Sequence, residues 1–273
     1  MAVPLDIADI PVHFSLAGVT LNAQERAVMQ TSLRVKAEAE KLEHLSFWGK
    51  ILGIQKDYMI AQASGSNLFD RKFFYSVDLT NWLQLPEVTP EDMLMIDKIN
   101  KKFTGDPSFE YTLVTEETEG EEKAKGQSVN EEKRLSGVIQ LMNYEVQIVP
   151  RGAYYRDGSL TLQLNPMFKG LQQSELGELT NYCHFREGFN INKKTVLERA
   201  TNFDETIDIF DSVSGDEPRG VWTIQAERAG SVALLRSLLW PGYVFFHTPA
   251  PAKWGGMYYG WGLKNQNIGF MLP

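Results

Sequence analysis

The feature that most constrains the fold of this chain is the density of aromatic residues near its end. Trp240–Pro273 spans 34 residues and contains nine aromatic residues, namely Trp240, Tyr243, Phe245, Phe246, Trp254, Tyr258, Tyr259, Trp261 and Phe270. Buried aromatic rings contribute strongly to protein cores, so most of these side chains must be packed inside the molecule. Pro241-Gly242 and the stretch from Pro249 to Gly256 interrupt the block, which favours short strands joined by turns over a helix.

Strand patterns of the same kind recur earlier in the chain. Ser46–Ile54 and Tyr58–Ala63 flank the polar tripeptide Gln55-Lys56-Asp57, which predicts a hairpin. Asp157-Gly158, a dipeptide that favours tight turns, predicts a second hairpin. The other predicted strands and strand pairs are Lys72–Val77, Ile148–Arg156 with Leu160–Leu164, Gly220–Ala226 with Val232–Leu239, and Tyr243–His247 with Met257–Gly262.

The predicted helices are fewer, and two of them have clear start signals. Asn22 and Glu25 have the spacing of a capping box at the start of a helix within residues 21–45. Thr89 and Pro90 begin another helix, which Gly105 and Pro107 end. Further helices are predicted at Leu135–Val146, Ser174–Phe185 and Thr195–Ala200. Since strands outnumber helices without alternating with them, the predicted fold class is α+β, with a largely antiparallel sheet and flanking helices.

One segment lacks the apolar residues that a packed structure needs. Glu116–Arg134 contains seven acidic and four basic residues but only two aliphatic ones, Ala124 and Val129. Such a segment buries too little apolar surface to offset the entropy of ordering it, so we predict a mobile acidic loop. The 273 residues otherwise suit one domain, residues 1–273, with an N-terminal helical segment at residues 1–45.

The charge balance and the compartment signals exclude several classes of function. Lys and Arg number 27 against 35 Asp and Glu, a net charge of −8, and no basic run offers a surface for nucleic acid or an anionic membrane. The first 20 residues lack the pattern of a targeting peptide, and no stretch approaches the ~18 apolar residues of a membrane span. The single cysteine, Cys183, cannot form an intramolecular disulfide. We therefore expect a protein of the cytosol or the cytoskeleton.

No motif in the sequence predicts an enzyme or a cofactor site. A glycine-rich phosphate loop, a zinc-binding His-Glu-x-x-His helix and a Gly-x-Ser-x-Gly nucleophile turn are all absent from the sequence. The four histidines do not pair at metal-ligand spacing; they are His13, His44, His184 and His247. Cys183-His184 is the one pair that suggests nucleophilic catalysis, but neighbours on the predicted helix point about 100° apart. We expect no catalytic residue, no metal and no cofactor.

The aromatic C-terminal block supports two interpretations. Its rings can all be core residues, or some can also anchor a protein partner, since Trp, Tyr and Phe are enriched at interfaces. The Pro and Gly interruptions place part of the block in surface loops. Trp254, Tyr258 and Tyr259 are therefore the candidate partner-interface residues.

Eight short strings, in a fixed order along residues 47–272, carry a family resemblance. They are Phe47–Gly53, Asp57–Ala61, Trp82 through Thr89-Pro90, Phe103–Pro107, Ile148–Gly152, Asn165–Leu171, Leu234–Gly242 and Tyr258–Gly262. Each string alone is weak, but together they resemble the radial spoke head family of motile cilia and flagella.

This resemblance implies a structural protein without catalytic residues. The spoke head lies at the tip of a stalk rooted on an outer doublet microtubule, contacts the central pair apparatus and passes mechanical signals that regulate dynein. A member would bind paralogous head subunits, radial spoke head proteins 4 and 6, in the axoneme of a cilium or flagellum, and would bind neither nucleic acid nor membrane. The alternatives are a generic cytosolic scaffold or chaperone-like interaction module, and an unrecognised hydrolase.

Overall fold

An eight-stranded sheet organises the fold. The computed structural model describes residues 7–8, 10–18, 20–65, 68–113, 127–158, 161–188, 195–196, 203–204 and 206–268. The helices are α1 (Ile10–Phe14), α2 (Ala23–Ala39), α3 (Pro90–Ile96) and α4 (Glu131–Val146). The strands are β1 (Leu45–Ile51), β2 (Tyr58–Ser64), β3 (Arg71–Ser76), β4 (Leu83–Gln84), β5 (Glu110–Leu113), β6 (Gln127–Asn130), β7 (Ile148–Pro150), β8 (Tyr154–Arg156), β9 (Leu162–Leu164), β10 (Tyr182–His184), β11 (Trp222–Glu227), β12 (Val232–Ser237), β13 (Tyr243–Pro249) and β14 (Ala252–Gly260).

Neighbouring strands of the main sheet run antiparallel, with one exception. Their order is β11-β12-β13-β14-β1-β2-β3-β4, and only the central pair, β14 and β1, is parallel. Three small sheets pair β5 with β6, β7 with β10, and β8 with β9, all antiparallel. The predicted α+β class with a largely antiparallel sheet is confirmed. The predicted pairings of β1 with β2, β8 with β9, β11 with β12, and β13 with β14 are also present.

Both faces of the main sheet are buried, which explains why its central strands lack polar alternation. In β13, Val244 and Phe246 belong to one apolar core, whereas Phe245 between them belongs to the other. Successive side chains of a strand point to opposite faces of a sheet. A strand covered on both sides therefore appears in the sequence as a continuous apolar run.

The N-terminal segment covers one face of the sheet. The Asn22 side chain accepts the Glu25 N–H at 2.7 Å, and the Glu25 carboxylate accepts the Asn22 N–H at 3.0 Å, which confirms the predicted capping box of α2. Leu33 is buried on the inner side of α2. His13 of α1 stacks on Phe246 of β13, with 4.1 Å between the ring centroids. The capping box thus fixes the start of α2, and the stacking of His13 on Phe246 fixes α1 on the sheet.

Helices α3 and α4 and the chain that follows them cover the opposite face. Thr89 caps α3 as predicted, and its backbone and side chain exchange hydrogen bonds with Asp92. The helix ends well before the predicted stop at Gly105. The residues after it extend instead against the loop that follows β1, where the Ile54 N–H donates to the Phe103 carbonyl at 2.9 Å.

The helix predicted at Ser174–Phe185 is wrong. The structure has turns there, followed by β10, in which Cys183 pairs with Val149 of β7. The Tyr182 hydroxyl donates to the Leu176 carbonyl at 3.0 Å and closes the turn region. Strand pairing across the fold thus overrides a local helical pattern. Of the helix predicted at Thr195–Ala200, all but residues 195–196 lie outside the described residues.

The mobile loop predicted at Glu116–Arg134 is wrong at its C-terminal end. Strand β6 pairs with β5, and α4 begins at Glu131. The Glu131 and Arg134 side chains are 0% and 1% exposed. A charge-rich composition predicts exposure only if the charges lack partners inside the protein, and these two have them. Residues 116–126 lie outside the described residues, and so does the prediction for that part.

A close backbone approach joins strands from opposite ends of the chain. Gly49 of β1 pairs with Tyr258 of β14 in parallel register. A Cβ atom at Gly49 would lie 2.6 Å from the Tyr258 carbonyl oxygen, which is closer than real Cβ contacts. Glycine at this position therefore permits the central parallel pair.

Candidate functional site

The candidate interface residues lie within β14 rather than in surface loops. Trp254 and Tyr258 are 7% and 1% exposed, and both belong to the core on the α4 side of the sheet. Trp254 packs edge-on against Phe168 with 5.4 Å between ring centroids, and the Tyr258 hydroxyl accepts the Gly262 N–H at 2.9 Å. The expectation that these two side chains are surface anchors is wrong, because β14 continues through Gly255-Gly256.

Tyr259, the third candidate, is half-buried and lies beside a cluster of charges. The Lys50 ammonium lies 5.6 Å from the centroid of the Tyr259 ring, a cation–π contact. Lys50 also forms ion pairs with Glu25 and Asp57, each at 2.9 Å. A partner contact at Tyr259 stays a prediction, and this ring is the part of the predicted interface that a partner can reach.

Sequence analysis missed the densest polar cluster in the described part of the protein. Its centre is the Glu131 carboxylate at the start of α4, which accepts hydrogen bonds from five donor groups. The Tyr58 and Tyr111 hydroxyls donate at 2.8 Å and 2.5 Å. The Thr104 N–H and hydroxyl both donate at 2.9 Å, and the Gly105 N–H donates at 2.8 Å. The carboxylate therefore ties α4 to β2, to β5 and to the loop at residues 104–105.

Arg134, one helical turn later, extends this cluster. Its guanidinium donates to the Tyr111 hydroxyl at 2.9 Å and to the carbonyls of Ile99, at 3.4 Å, and Lys101. The same group lies over the ring of Phe103, 4.2 Å from its centroid. The tyrosine hydroxyl thus bridges a buried cation and a buried anion. A buried charge needs hydrogen bonds and a nearby compensating charge. Glu131 has five donors, and Arg134 has three acceptors and the charge of Glu131 beyond the Tyr111 hydroxyl, although its Nε has no hydrogen-bond partner among the described residues.

Hydrogen bonding keeps the Glu131 carboxylate ionised in spite of its burial. Burial raises its pKa, but the donors Tyr111, Thr104 and Gly105 outweigh that effect, so the pKa lies below its ordinary value. Burial, together with the hydrogen bond to this carboxylate, raises the pKa of Tyr111 to about 12, so the hydroxyl remains a donor. Both carboxylate oxygens are occupied by protein donors, so the cluster fixes the fold rather than offering a group to a substrate.

The Cys183-His184 pair has no catalytic geometry. Both residues lie on β10, where successive side chains point to opposite faces, so the thiol and the imidazole do not face each other. The His184 Nε2 atom lies 2.8 Å from a carboxylate oxygen of Asp216, and the same carboxylate accepts the Trp222 indole N–H at 2.7 Å. This imidazole is therefore part of a structural contact.

The described part of the protein offers little for a metal or a small ligand. No group of three or more His, Cys, Asp or Glu side chains in that part could hold a metal ion. His247 is buried, its Nε2 accepts the Leu171 N–H at 3.2 Å, and burial lowers its pKa to about 4. The cleft beside Trp254 has a volume of about 60 Å³, and two larger clefts, beside Leu33 and beside Phe168, have about 430 Å³ and 310 Å³ but are more open to solvent. Among the described helices, none has the length and apolar character to cross a membrane.

Comparison with known proteins places the chain in a family. The family model described as radial spokehead-like protein matches residues 3–72 and 198–273. The radial spoke head protein 9 homolog of Danio rerio is 39% identical over 274 residues, covering 96% of this chain and 98% of that protein. The Homo sapiens homolog is 39% identical over 262 residues, covering 94% and 95%. The chain belongs to the radial spoke head protein family.

Within the radial spoke head family, this chain is similar to protein 9 along its whole length. The radial spoke head protein 6 homolog A of Mus musculus is more distant, 23% identical over 369 residues, and the match covers 98% of this chain but 51% of that protein. The resemblance carried by the eight strings is therefore confirmed.

The residues that match the family model form the main sheet except for β4 and most of β3 at one edge. They include β1 and β2 from one end of the chain and β11 to β14 from the other. Helices α1 and α2 lie in the matched part, whereas α3, α4 and the Glu131 cluster lie outside it. Most of the main sheet, together with α1 and α2, is thus the part that matches the family model. Helices α3 and α4 come from the segment between the two matched regions.

Proposed function

We propose that this chain is a non-enzymatic structural subunit of the radial spoke head, in the axoneme of a motile cilium or flagellum. The observation that supports this most directly is the similarity to radial spoke head protein 9 homologues over nearly the full length of both chains. The match covers 96% of this chain and 98% of the Danio rerio protein, so the proposal rests on this sequence as a whole and not on one segment of it.

The architecture suits a subunit that transmits force. The main sheet is covered on both faces by apolar cores, and the Glu131 cluster fixes α4 against it. Close-packed interiors have low compressibility and transmit strain. In this role the chain passes mechanical signals between the central pair and dynein without needing a large internal rearrangement.

The partners we infer are other radial spoke head subunits, in particular radial spoke head proteins 4 and 6. The similarity to a protein 6 homolog over 98% of this chain supports a common fold with such a partner. The half-buried Tyr259 ring is the contact we propose for such a partner, since Tyr supplies a rigid apolar surface at interfaces. The assembled head then meets the central pair apparatus.

Deletion and rescue in a ciliated cell test this function. We expect cells without the protein to assemble axonemes that are paralysed or beat abnormally, and the wild-type chain to restore both the spoke head and the beat. A normal waveform in the null cells would refute the assignment. Co-sedimentation with demembranated axonemes separates this function from a generic scaffold, which would remain in the soluble fraction.

The Tyr259→Ala variant tests the partner contact separately. We expect the variant to fold with only a small drop in melting temperature, from the loss of a half-buried ring and its cation–π contact with Lys50, and its binding to a purified head subunit to weaken. Lys264→Ala, which removes an ion pair with Glu145 away from the Tyr259 patch, is the matched surface control. Wild-type binding by folded Tyr259→Ala would exclude this residue from the interface and leave the spoke head assignment intact.

A further inference from the structure

The two edges of the main sheet differ in how well they are protected. At one edge, β4 has only two residues, and very short edge strands discourage pairing with other chains. At the other edge, β11 has six residues and pairs with β12 on one side only. Residues Trp222–Glu227 include no proline and no lysine, and the register with β12 has no bulge. This edge therefore lacks the devices that usually block strand addition.

The hydrogen-bond pattern shows which backbone groups of β11 face outward. The Leu238 N–H donates to the Val221 carbonyl, so these two residues form a hydrogen-bonded pair of the antiparallel ladder. Hydrogen-bonded pairs alternate with non-hydrogen-bonded pairs along such a ladder. Trp222, Ile224 and Ala226 therefore direct their N–H and C=O groups away from β12. In the described part of the chain these backbone groups have no hydrogen-bond partner.

We propose that a second copy of this chain adds to the sheet by antiparallel pairing of β11 with β11. With Ile224 on the two-fold axis, the outward groups of Trp222, Ile224 and Ala226 in one copy meet those of Ala226, Ile224 and Trp222 in the other. Six backbone hydrogen bonds form, and the two main sheets become one continuous sheet. The main-chain pairing that β-strand addition uses to bind a partner thus applies to the chain itself.

The side chains of β11 favour a second copy over an arbitrary partner. In this register Ile224 faces its own equivalent, and Thr223 faces Gln225 on the other side of the sheet. Glu227 is the one charged residue of the strand, and it faces Val221 rather than a second carboxylate. Like charges placed directly opposite each other destabilise a strand pair, and this register has none. A chain of net charge −8 thus presents at this edge a strand with a single charged residue.

Proline substitution at an outward position tests the pairing with little effect on the fold. The Ala226 N–H points outward and the residue is exposed, so Ala226→Pro removes no bond to β12. Gln84→Pro is the matched control, because the Leu85 N–H bonds to Phe73 and so the Gln84 N–H also points outward, at the protected edge. Sedimentation velocity of the full chain over a range of concentrations then measures self-association.

We expect the wild type and Gln84→Pro to shift with concentration from 31.0 kDa towards twice that mass. We expect the dissociation constant of the Ala226→Pro dimer to be about tenfold higher than that of the wild type, since two of the six backbone hydrogen bonds are lost. Hydrogen exchange of the wild type gives a second measurement, in which the Ile224 and Ala226 amides become protected only at concentrations where the dimer forms.

Three results would overturn the proposal. One is a wild type that stays monomeric at every concentration while the Ile224 amide exchanges freely. Another is a folded Ala226→Pro variant that dimerises like the wild type, which would place the interface elsewhere. The third is a monomer whose β11 amides become protected only when a different spoke head subunit is added. That result would replace the second copy by a hetero-partner and would leave the proposed function standing.

Discussion

Replacement of Glu131 by glutamine tests whether the buried cluster holds α4 on the sheet. Either orientation of the new amide places its NH₂ group against a backbone donor, because the Gly105 N–H points at one carboxylate oxygen and the Thr104 N–H reaches both. A tyrosine hydroxyl can rotate to accept a hydrogen bond, but a backbone N–H cannot. The variant also removes the negative charge that balances the Arg134 guanidinium.

The expected magnitude follows from these two effects. A buried donor left unpaired costs about 1–3 kcal/mol, and a hydrogen bond to a charged group contributes about 1.5–3 kcal/mol. Removal of one partner of a buried charge cluster costs about 3–5 kcal/mol. We therefore expect Glu131→Gln to lower the free energy of unfolding by about 3–5 kcal/mol, measured by urea unfolding at pH 7.

The pH dependence of this loss has a definite sign. The pKa of Glu131 lies below its ordinary value of 4.5 in the folded protein, so the stabilisation is present at neutral pH and disappears as the pH falls through the folded pKa. The stability difference between the wild type and Glu131→Gln should therefore stay constant above about pH 5 and shrink in more acidic solution.

Glu132→Gln is the matched control. This neighbouring carboxylate is partly exposed and accepts a hydrogen bond from the Tyr75 hydroxyl at 2.9 Å, a donor that can rotate. Its replacement should cost less than about 1 kcal/mol. Equal and small losses for the two variants would refute the reasoning, and so would a loss for Glu131→Gln that does not change with pH.

Four further outcomes are expected. Trp254→Ala should lower the free energy of unfolding by about 3–5 kcal/mol, measured in urea, as for a large core residue. A change below about 1 kcal/mol would contradict its burial in the core and would support its role as a partner-interface residue. Gly49→Ala should lower the melting temperature because its Cβ meets the Tyr258 backbone, and an unchanged value would contradict the close approach. A Gly/Ser linker in place of Glu116–Arg134 should unfold the protein in circular dichroism, because it removes the buried Glu131 and Arg134. The pKa of His247 is about 4 against an ordinary 6.5, so stability should fall as the pH drops between these values, and His247→Gln should remove that dependence.

Local patterns predicted the strands well, because turn residues and apolar runs mark strands directly. The hairpin at Asp157-Gly158 and the block that contains β11 to β14 are examples. The same approach failed at Ser174–Phe185, where an apolar spacing of helical type coincides with turns and a strand. The β7 strand that pairs with this segment lies far away in the sequence. The hydrophobic periodicity of a single segment carries no information about its pairing with a strand that is distant in sequence.

The Glu131 cluster was missed for a related reason. The two acidic residues Glu131 and Glu132, shortly before the predicted helix Leu135–Val146, are a signal for the first turn of a helix, and α4 does begin there. Nothing near them in sequence indicates burial, because their donors come from the separate regions around Tyr58, Thr104 and Tyr111. The charged composition of this segment therefore predicted exposed side chains at Glu131 and Arg134, whereas the folded protein buries both.

Two of the eight family strings lie side by side in the structure, at the place where strands from the two ends of the chain pair. The central seam, defined as the pairing of Gly49–Ile51 with Tyr258–Gly260, includes only three residue pairs and lies within the strings Phe47–Gly53 and Tyr258–Gly262. Side chains reinforce it on both faces. Tyr258 contacts Trp48 on one face, with 6.0 Å between ring centroids, and Lys50 lies over the Tyr259 ring on the other.

Within the main sheet, the pairing of β14 with β1 is the link between the C-terminal strands and the N-terminal ones, so a force along the sheet loads this seam. A short parallel pair is weaker in itself than a long antiparallel one. The Trp48–Tyr258 contact and the cation–π contact of Lys50 with Tyr259 cross the seam and therefore supply strength that the backbone lacks there. A partner that contacts Tyr259 would bind at the seam itself, so assembly of the spoke head would stiffen the sheet where its own hydrogen bonding is sparsest.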